Sequence, residues 1–239
     1  MNIRQTILDL KAITKLPRLS IDLGRDEVQH NDPFFLQAVD NFYRAARKRH
    51  PKFPLIRSLQ YGVAVLTLPE DHSSYLQGLE SAARRNIKKA SRKGYQFRRF
   101  SYNDYLADIG EIHCSAKVRQ GPMSAELLNR SPAPVHNPAT NNDAHDYPYF
   151  GVFKDEKLVA YAGCLVAGEM LLLATVFGHD QYKSDAVVPF LISGIAEYKY
   201  SHYSRVKYYV YDKYYGASEN LRRFKRKFRF EPHVVNWCF

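Results

Sequence analysis

The stretch GASENLRRFKRKFRFEP, residues 216–232, sets basic side chains around a helical apolar period and ends at a proline. Leu221, Phe224 and Phe228 recur at three- and four-residue intervals. That spacing predicts one packed stripe, with Arg222, Arg223, Lys225, Arg226 and Lys227 over the remaining surface. Cations presented in this way hold phosphates, on a cofactor or on RNA, or form a solvated helix face. A second basic helix is predicted over residues 73–93. Leu76, Leu79, Ala83, Ile87 and Ala90 mark its apolar stripe, opposite Arg84, Arg85, Lys88, Lys89, Arg92 and Lys93. The chain has 18 tyrosines, dense in YKYSHYSRVKYYVYDKYY, where rings interleaved with Lys and Arg either stack on bases or make the aromatic face of a strand.

Other chemistries are poorly supplied. No Ser-His-Asp order, metal-ligand cluster or complete phosphate loop is found. Cys114, Cys164 and Cys238 are widely spaced and form no CxxC pair, which argues against a disulfide framework or zinc knuckle and fits a reducing cytoplasm. Cys164 lies inside a strand-like run and reads as a small core residue. A formal charge of +11 favours anionic partners such as RNA, phosphorylated cofactors or an anionic membrane surface. No run reaches the roughly 18 apolar residues of a membrane helix, and charges interrupt the apolar run of MNIRQTILDLKAITKLPRL. A soluble protein without a signal peptide is expected.

The elements that must position these residues are readable from period and punctuation. Residues 34–48 carry a helical period, with Asn31 and Asp32 before Pro33 as capping candidates. SLQYGVAVLTL reads as a buried strand, YQFRRF as an alternating one, and residues 102–118 as a helix capped by Ser101. NRSPAPVHNPATNNDAHD, with three prolines and no apolar period, is a long loop: a lid, an acceptor-binding loop or an exposed linker. Three strand-like runs follow, YPYFGVFK, KLVAYAGCLVA and EMLLLATVFG, parted by Asp155-Glu156 and by Gly168, which predicts an antiparallel meander. A helix over 185–200, a strand at RVKYYVYD, the basic helix and a last strand at HVVNWCF complete a β-β-β-α-β-α-β order.

That order resembles the GNAT superfamily of acyltransferases. LESAARRNIKKASRKGYQF and IHCSAKVRQGPMSAELL are similar to segments of its FemAB-like branch, which comprises aminoacyl and peptidyl transferases, and the resemblance covers roughly residues 73–239. It implies an α/β (α+β) fold with a central mixed, mainly antiparallel sheet flanked by helices. Residues 58–239 would form the acyltransferase domain and residues 1–57 an N-terminal helical and strand extension.

Site residues follow from the same resemblance. QYKSDA, comprising Gln181, Lys183, Ser184, Asp185 and Ala186 about Tyr182, has the spacing of the GNAT loop that holds the pyrophosphate of coenzyme A, with Ser184 where that loop has glycine. A structural reading stands beside it: Ser184 and Asp185 simply cap a helix. Leu173, Ala174 and Thr175 fall where GNAT enzymes present a backbone N–H to the acyl carbonyl. Asn220 matches an Asn near the start of the family's last helix and Phe230 its final Phe, while Lys225 stands at the position of the thiolate-protonating Tyr and Arg229 at that of a Gly. For the base that deprotonates the acceptor amine, Asp212 is the first candidate, with His145 and Asp146 second. Three functions are consistent with these residues: an N-acyltransferase using acetyl-CoA or another acyl-CoA, an aminoacyl-tRNA-dependent transferase acting on an amine acceptor, and a non-catalytic RNA-binding or scaffold protein on the same fold.

Overall fold

The structure is a computed structural model that describes residues 15–28, 33–49, 57–119, 123–129, 131–140, 142–215 and 217–239. The capping candidates Asn31 and Asp32, and Gln120 and Gly121 of the second FemAB-like segment, lie outside these residues.

Nine strands form one mixed sheet: β1 (Arg18–Asp22), β2 (Tyr61–Thr67), β3 (Gln96–Phe100), β4 (His145–Asp146), β5 (Tyr149–Lys154), β6 (Lys157–Ala167), β7 (Met170–Gly178), β8 (Tyr208–Lys213) and β9 (Glu231–Cys238). Their spatial order is β1-β9-β2-β8-β7-β6-β5-β3, with β4 beside the far end of β6. Among the described residues only β1 with β9 and β7 with β8 run parallel. The meander forms as its punctuation predicts. Asp155 and Glu156, at φ 49° and 63°, close the β5–β6 hairpin in a two-residue turn whose positive angles match the twist of the strands. Gly168, at φ 53°, turns β6 into β7, and a Cβ there would strike the backbone of Asp22 and Gly24. The N-terminal segment therefore lies directly against this turn.

Helices cover both faces, as expected of an α/β fold of this kind. On one face lie α2 (His72–Gly78), α3 (Ser81–Arg92) and α6 (Val187–His202), whose Leu79, Ala83, Ala90, Leu191, Ile192 and Ile195 join Ala162, Cys164 and Leu173 in the largest core. On the other face α1 (Pro33–Arg47) buries Phe35, Val39 and Phe42 against Ile21, Leu165 and Trp237. Beside it α4 (Leu106–Cys114) covers Leu158 and Tyr161 with Ile109 and Ile112. A short α5 (Ala125–Asn129) and the basic α7 (Glu219–Lys227) complete the set.

Two predicted helices are broken. The one over 73–93 is α2 plus α3, because the chain extends at Leu79 to bury that side chain, and the Glu80 N–H bonds to the carbonyl of Lys227 at 3.2 Å. The one over 102–118 opens as a 3-10 turn at Tyr102–Tyr105 before α4.

Candidate active site

β7 and β8 pair only through Met170–Tyr208, Leu171–Tyr209 and Leu172–Val210. Beyond that point β7 stays with β6 while Lys213 of β8 pairs with Val63 of β2, so the sheet splays open. The β7 wall of this opening carries a bulge. Gly163 pairs with Thr175 and Cys164 with Leu173, leaving Ala174 as the extra residue. Leu173 remains buried, but Ala174 and Thr175 are exposed, so the predicted segment lines the opening.

The opposite wall is built around Asp212, exposed and at φ 48°. An aspartate tolerates this left-handed conformation better than most residues. Its flanking carbonyls, those of Tyr211 and Lys213, both accept from Lys225 Nζ at 2.6 Å. Lys225 was expected among the surface cations; the structure corrects this, for it is 1% exposed and shares the packed stripe of α7 with Phe228. Two carbonyls and the Tyr211 ring, 4.7 Å from Nζ, satisfy the ammonium. Burial pulls its pKa down to about 8, against the attraction of Asp212. Asn220, by contrast, is exposed at the start of α7, where Ser218 Oγ caps the helix by accepting from the Leu221 N–H at 3.3 Å. Arg229 follows at φ 60°, so the position that the resemblance gives to glycine is left-handed here too.

Gln181, Lys183, Ser184 and Asp185 form a 3-10 turn before α6, and Ala186 at φ 64° joins the two. This loop does not fit a pyrophosphate. The N–H groups of Gln181, Tyr182 and Ala186 already bond within it, to His179 Nδ1, His179 O and Lys183 O. The Asp185 carboxylate accepts from Lys93 Nζ and from the Tyr95 hydroxyl at 2.8 Å, and Lys89 Nζ bonds to the Ser184 carbonyl at 2.7 Å. Lys93, more than Tyr95, holds the Asp185 carboxyl below its ordinary pKa. The loop thus brings a negative charge of its own and uses its lysine partners internally, where coenzyme A would need both.

His145 and Asp146 are not brought to the splay. β4 pairs with the end of β6 that faces Met170, five residues along β7 from Thr175, or about 17 Å at the rise of a strand. His145 is buried, its Nε2 3.1 Å from the Leu23 carbonyl. Asp146 is buried beneath a bidentate Arg99, at 2.8 and 3.1 Å, and accepts from the Tyr203 hydroxyl at 2.6 Å. These contacts hold the sheet edge together.

The long loop, read from sequence as a lid, an acceptor-binding loop or a linker, borders a groove whose other residues the sequence did not single out. The described part of the long loop, residues 131–140, is strapped down: Asn103 and Val135 exchange two hydrogen bonds, and Asn137 Nδ2 donates to the Tyr147 carbonyl at 2.9 Å. Between this strap and the end of β3 runs a groove of about 660 Å³. Tyr149 lines it and belongs to a cross-strand row, Phe100–Tyr149–Gly163–Thr175, that ends in the splay. The signal was Gly163, an isolated glycine inside a strand pattern, which marks close approach of another group.

No protein-family model and no curated protein matches the chain. Solved structures do. FemX superposes with a TM-score of 0.55 at 9% identity, covering 72% of this chain and 59% of that one. A tandem GNAT protein from the clavulanic acid biosynthesis pathway gives 0.47 at 13% identity over 86% and 56%. L-PGS from Bacillus licheniformis gives 0.43 at 12% over 72% and 57%. The chain spans less than three fifths of the length of each of these chains. Its splayed, helix-flanked sheet is a GNAT-like fold. The fold is shared with FemX in particular.

Among the described residues no group of His, Cys, Asp and Glu is placed to hold a metal ion, and no helix is long and apolar enough to cross a membrane.

Proposed function

We propose that this protein transfers an acyl group to an amine by direct attack at the splay between β7 and β8, and that its donor is an aminoacyl-tRNA. The observation that carries the reading is the splay itself, with the exposed Ala174–Thr175 bulge on one wall and Asp212 turned outward on the other. Asp212 takes a proton from the acceptor ammonium. The freed amine nitrogen bonds to the ester carbonyl carbon, the ester C–O bond breaks, and the departing ribose oxygen takes the second proton from nitrogen. Backbone N–H groups of the bulge face the oxyanion. Lys225 acts through Asp212: by holding both flanking carbonyls it fixes the turn that presents the carboxylate.

Two observations support the donor. The phosphate loop is closed by its own hydrogen bonds and by Asp185. The Glu80–Lys227 bond ties the start of α3 to the end of α7, and both helices carry exposed cations, Arg85, Lys88 and Arg92 on one and Arg223 and Arg226 on the other, suited to a polyphosphate backbone. The resemblance to the FemAB-like branch carries the same donor.

The test is transfer of a labelled aminoacyl group from charged tRNA to an amine mixture, run beside titrations with tRNA and acetyl-CoA at two salt concentrations. Transfer from tRNA, with binding that weakens steeply with salt, is expected. Micromolar acetyl-CoA binding with acetyl transfer, and none from tRNA, overturns the donor assignment. Tight tRNA binding without any transfer leaves the RNA-binding scaffold.

A further inference from the structure

The groove beneath the 131–140 strap is not used in the donor reading above, and its chemistry is distinctive. Phe100, Tyr102, Tyr149 and the imidazole of His136 supply rings, and Ser101, Asn103 and Asn137 supply hydroxyl and carboxamide groups. After the hydrogen bonds that fix the strap, Asn103 and Asn137 each retain at least one N–H and one lone pair, among the described residues. The guanidinium of Arg99 is already paired with Asp146, and no unpaired carboxylate lines the groove. With no carboxylate in its lining, the groove gives an ammonium no ionic partner. It suits a neutral body with flat apolar faces and many hydroxyls.

The groove is also connected to the chemistry. Tyr149, Gly163 and Thr175 are consecutive cross-strand partners, so Tyr149 and Thr175 lie two strand spacings apart, about 10 Å. A Cβ on Gly163 would lie 3.0 Å from Tyr149 Cε1 and 3.0 Å from Thr175 Oγ1. The Tyr149 ring therefore leans across the bare backbone of Gly163 on the same face as the Thr175 hydroxyl. Its other border is the groove. The ring and the hydroxyl fill the space over Gly163, so a ligand seated under the strap reaches Thr175 by crossing the outer face of the Tyr149 ring.

We propose that this groove is the acceptor subsite, and that the acceptor is a primary amine on a neutral polyhydroxylated body, the amino-sugar class, whose nitrogen crosses the Tyr149 ring to Thr175. This rests on the acyl-transfer reading above. The body stacks on Tyr102 and Tyr149 and is bonded by Asn103 and Asn137. The groove supplies no charge to the amine, and Asp212 receives it at the splay.

The experiment separates binding from transfer. A disaccharide of one glucosamine and one N-acetylglucosamine unit, which carries a single amine, is titrated into the full chain without donor. Saturable binding is expected, weakened about tenfold or more by Tyr102→Ala and by Asn137→Ala, which remove a stacking ring and a hydrogen bond to a buried hydroxyl. Arg18→Ala at the opposite sheet edge is expected to leave it unchanged. Gly163→Val, whose side chain presses on the Tyr149 ring and the Thr175 hydroxyl, is expected to weaken disaccharide binding and to abolish transfer. Gly163→Ala, with its near-UV circular dichroism compared with the parent, serves if the valine variant does not fold. Equal binding by Tyr102→Ala and the parent overturns the proposal, as does a lysine-containing tripeptide that depends on Tyr102 where the disaccharide does not bind. Groove-dependent binding with no transfer from any donor removes the catalytic reading but keeps the subsite. Transfer whose KM for the amine is unmoved by the groove variants keeps the catalytic reading and removes the subsite.

Discussion

Lys225 and Tyr211 meet twice: the ammonium donates to the tyrosine's carbonyl at 2.6 Å and lies 4.7 Å from the centre of its ring. The contact helps to hold a charged side chain in the core beside α7, where burial lowers its folded-state pKa to about 8, below the 10.5 of an unperturbed lysine. Between those values the unfolded chain binds more protons than the folded one, so this residue makes stability rise as pH climbs from 8 toward 10.5. Below 8 both states are protonated and the effect is flat. The full span is about 3 kcal/mol, from 1.4 kcal/mol per pH unit. Guanidinium unfolding at pH 7.5 and 10 is expected to show this rise in the parent, relative to Lys225→Met.

Asp212→Asn is expected to lower kcat by about 10²-fold, the lower range for loss of a general base, with donor affinity unchanged. Asparagine tolerates φ 48° as well, so the fold is kept. Single-turnover kinetics beside tRNA titration check it, and full activity would end the candidacy of Asp212.

Replacing Arg85, Lys88, Arg223 and Arg226 together with alanine removes four exposed cations from α3 and α7. The slope of log affinity for tRNA against log salt is expected to shrink by about 3, at roughly 0.7–0.9 for each phosphate no longer neutralised. Filter binding across a salt series measures this. An unchanged slope would place the nucleic acid elsewhere.

Asp146→Ala leaves Arg99 and the Tyr203 hydroxyl without their buried acceptor. A loss of about 2–3 kcal/mol is expected, in the range for hydrogen bonds to a charged group, with the turnover of the folded fraction retained. Urea denaturation and a per-folded-molecule rate distinguish this from a catalytic role.

Asp185→Ala frees Lys93 and opens the loop before α6. Acetyl-CoA affinity is expected to rise about tenfold in this variant, because a like charge leaves and a cation is released at a helix N-terminus. Isothermal titration of the parent and the variant reads it directly.

What the sequence disclosed was local. The β5–β7 meander was legible because Asp155-Glu156 and Gly168 are turn residues between β-branched runs. The segment Leu173–Thr175 was legible through the resemblance, and the structure sets it in the opening. Lys225 was not legible. A charge at that position of α7 reads as solvated, and only the carbonyls of a kinked strand 12 and 14 residues away make its burial tolerable. The break between α2 and α3 depends on Lys227, and the parallel pairing of β1 with β9 joins residues more than 200 apart. No periodic pattern records such partners. The strap groove escaped for a related reason: Asn103, Asn137 and Tyr149 come from three separate segments that meet only once the loop is tied down.

The pairing of β1 with β9 has a consequence for how the molecule is made. Leu19 sits opposite Val235, and the Leu23 N–H bonds to the Cys238 carbonyl at 3.2 Å. During synthesis the leading strand emerges first and finds its partner only when residues 231–238 have left the ribosome. Until then Ile21 and Leu23, both fully buried in the finished protein, have no sheet to complete. That ladder is among the longest closures in the chain, and loop-closure entropy makes it slow to form. The nascent protein thus has an interval in which its first strand is available to chaperones.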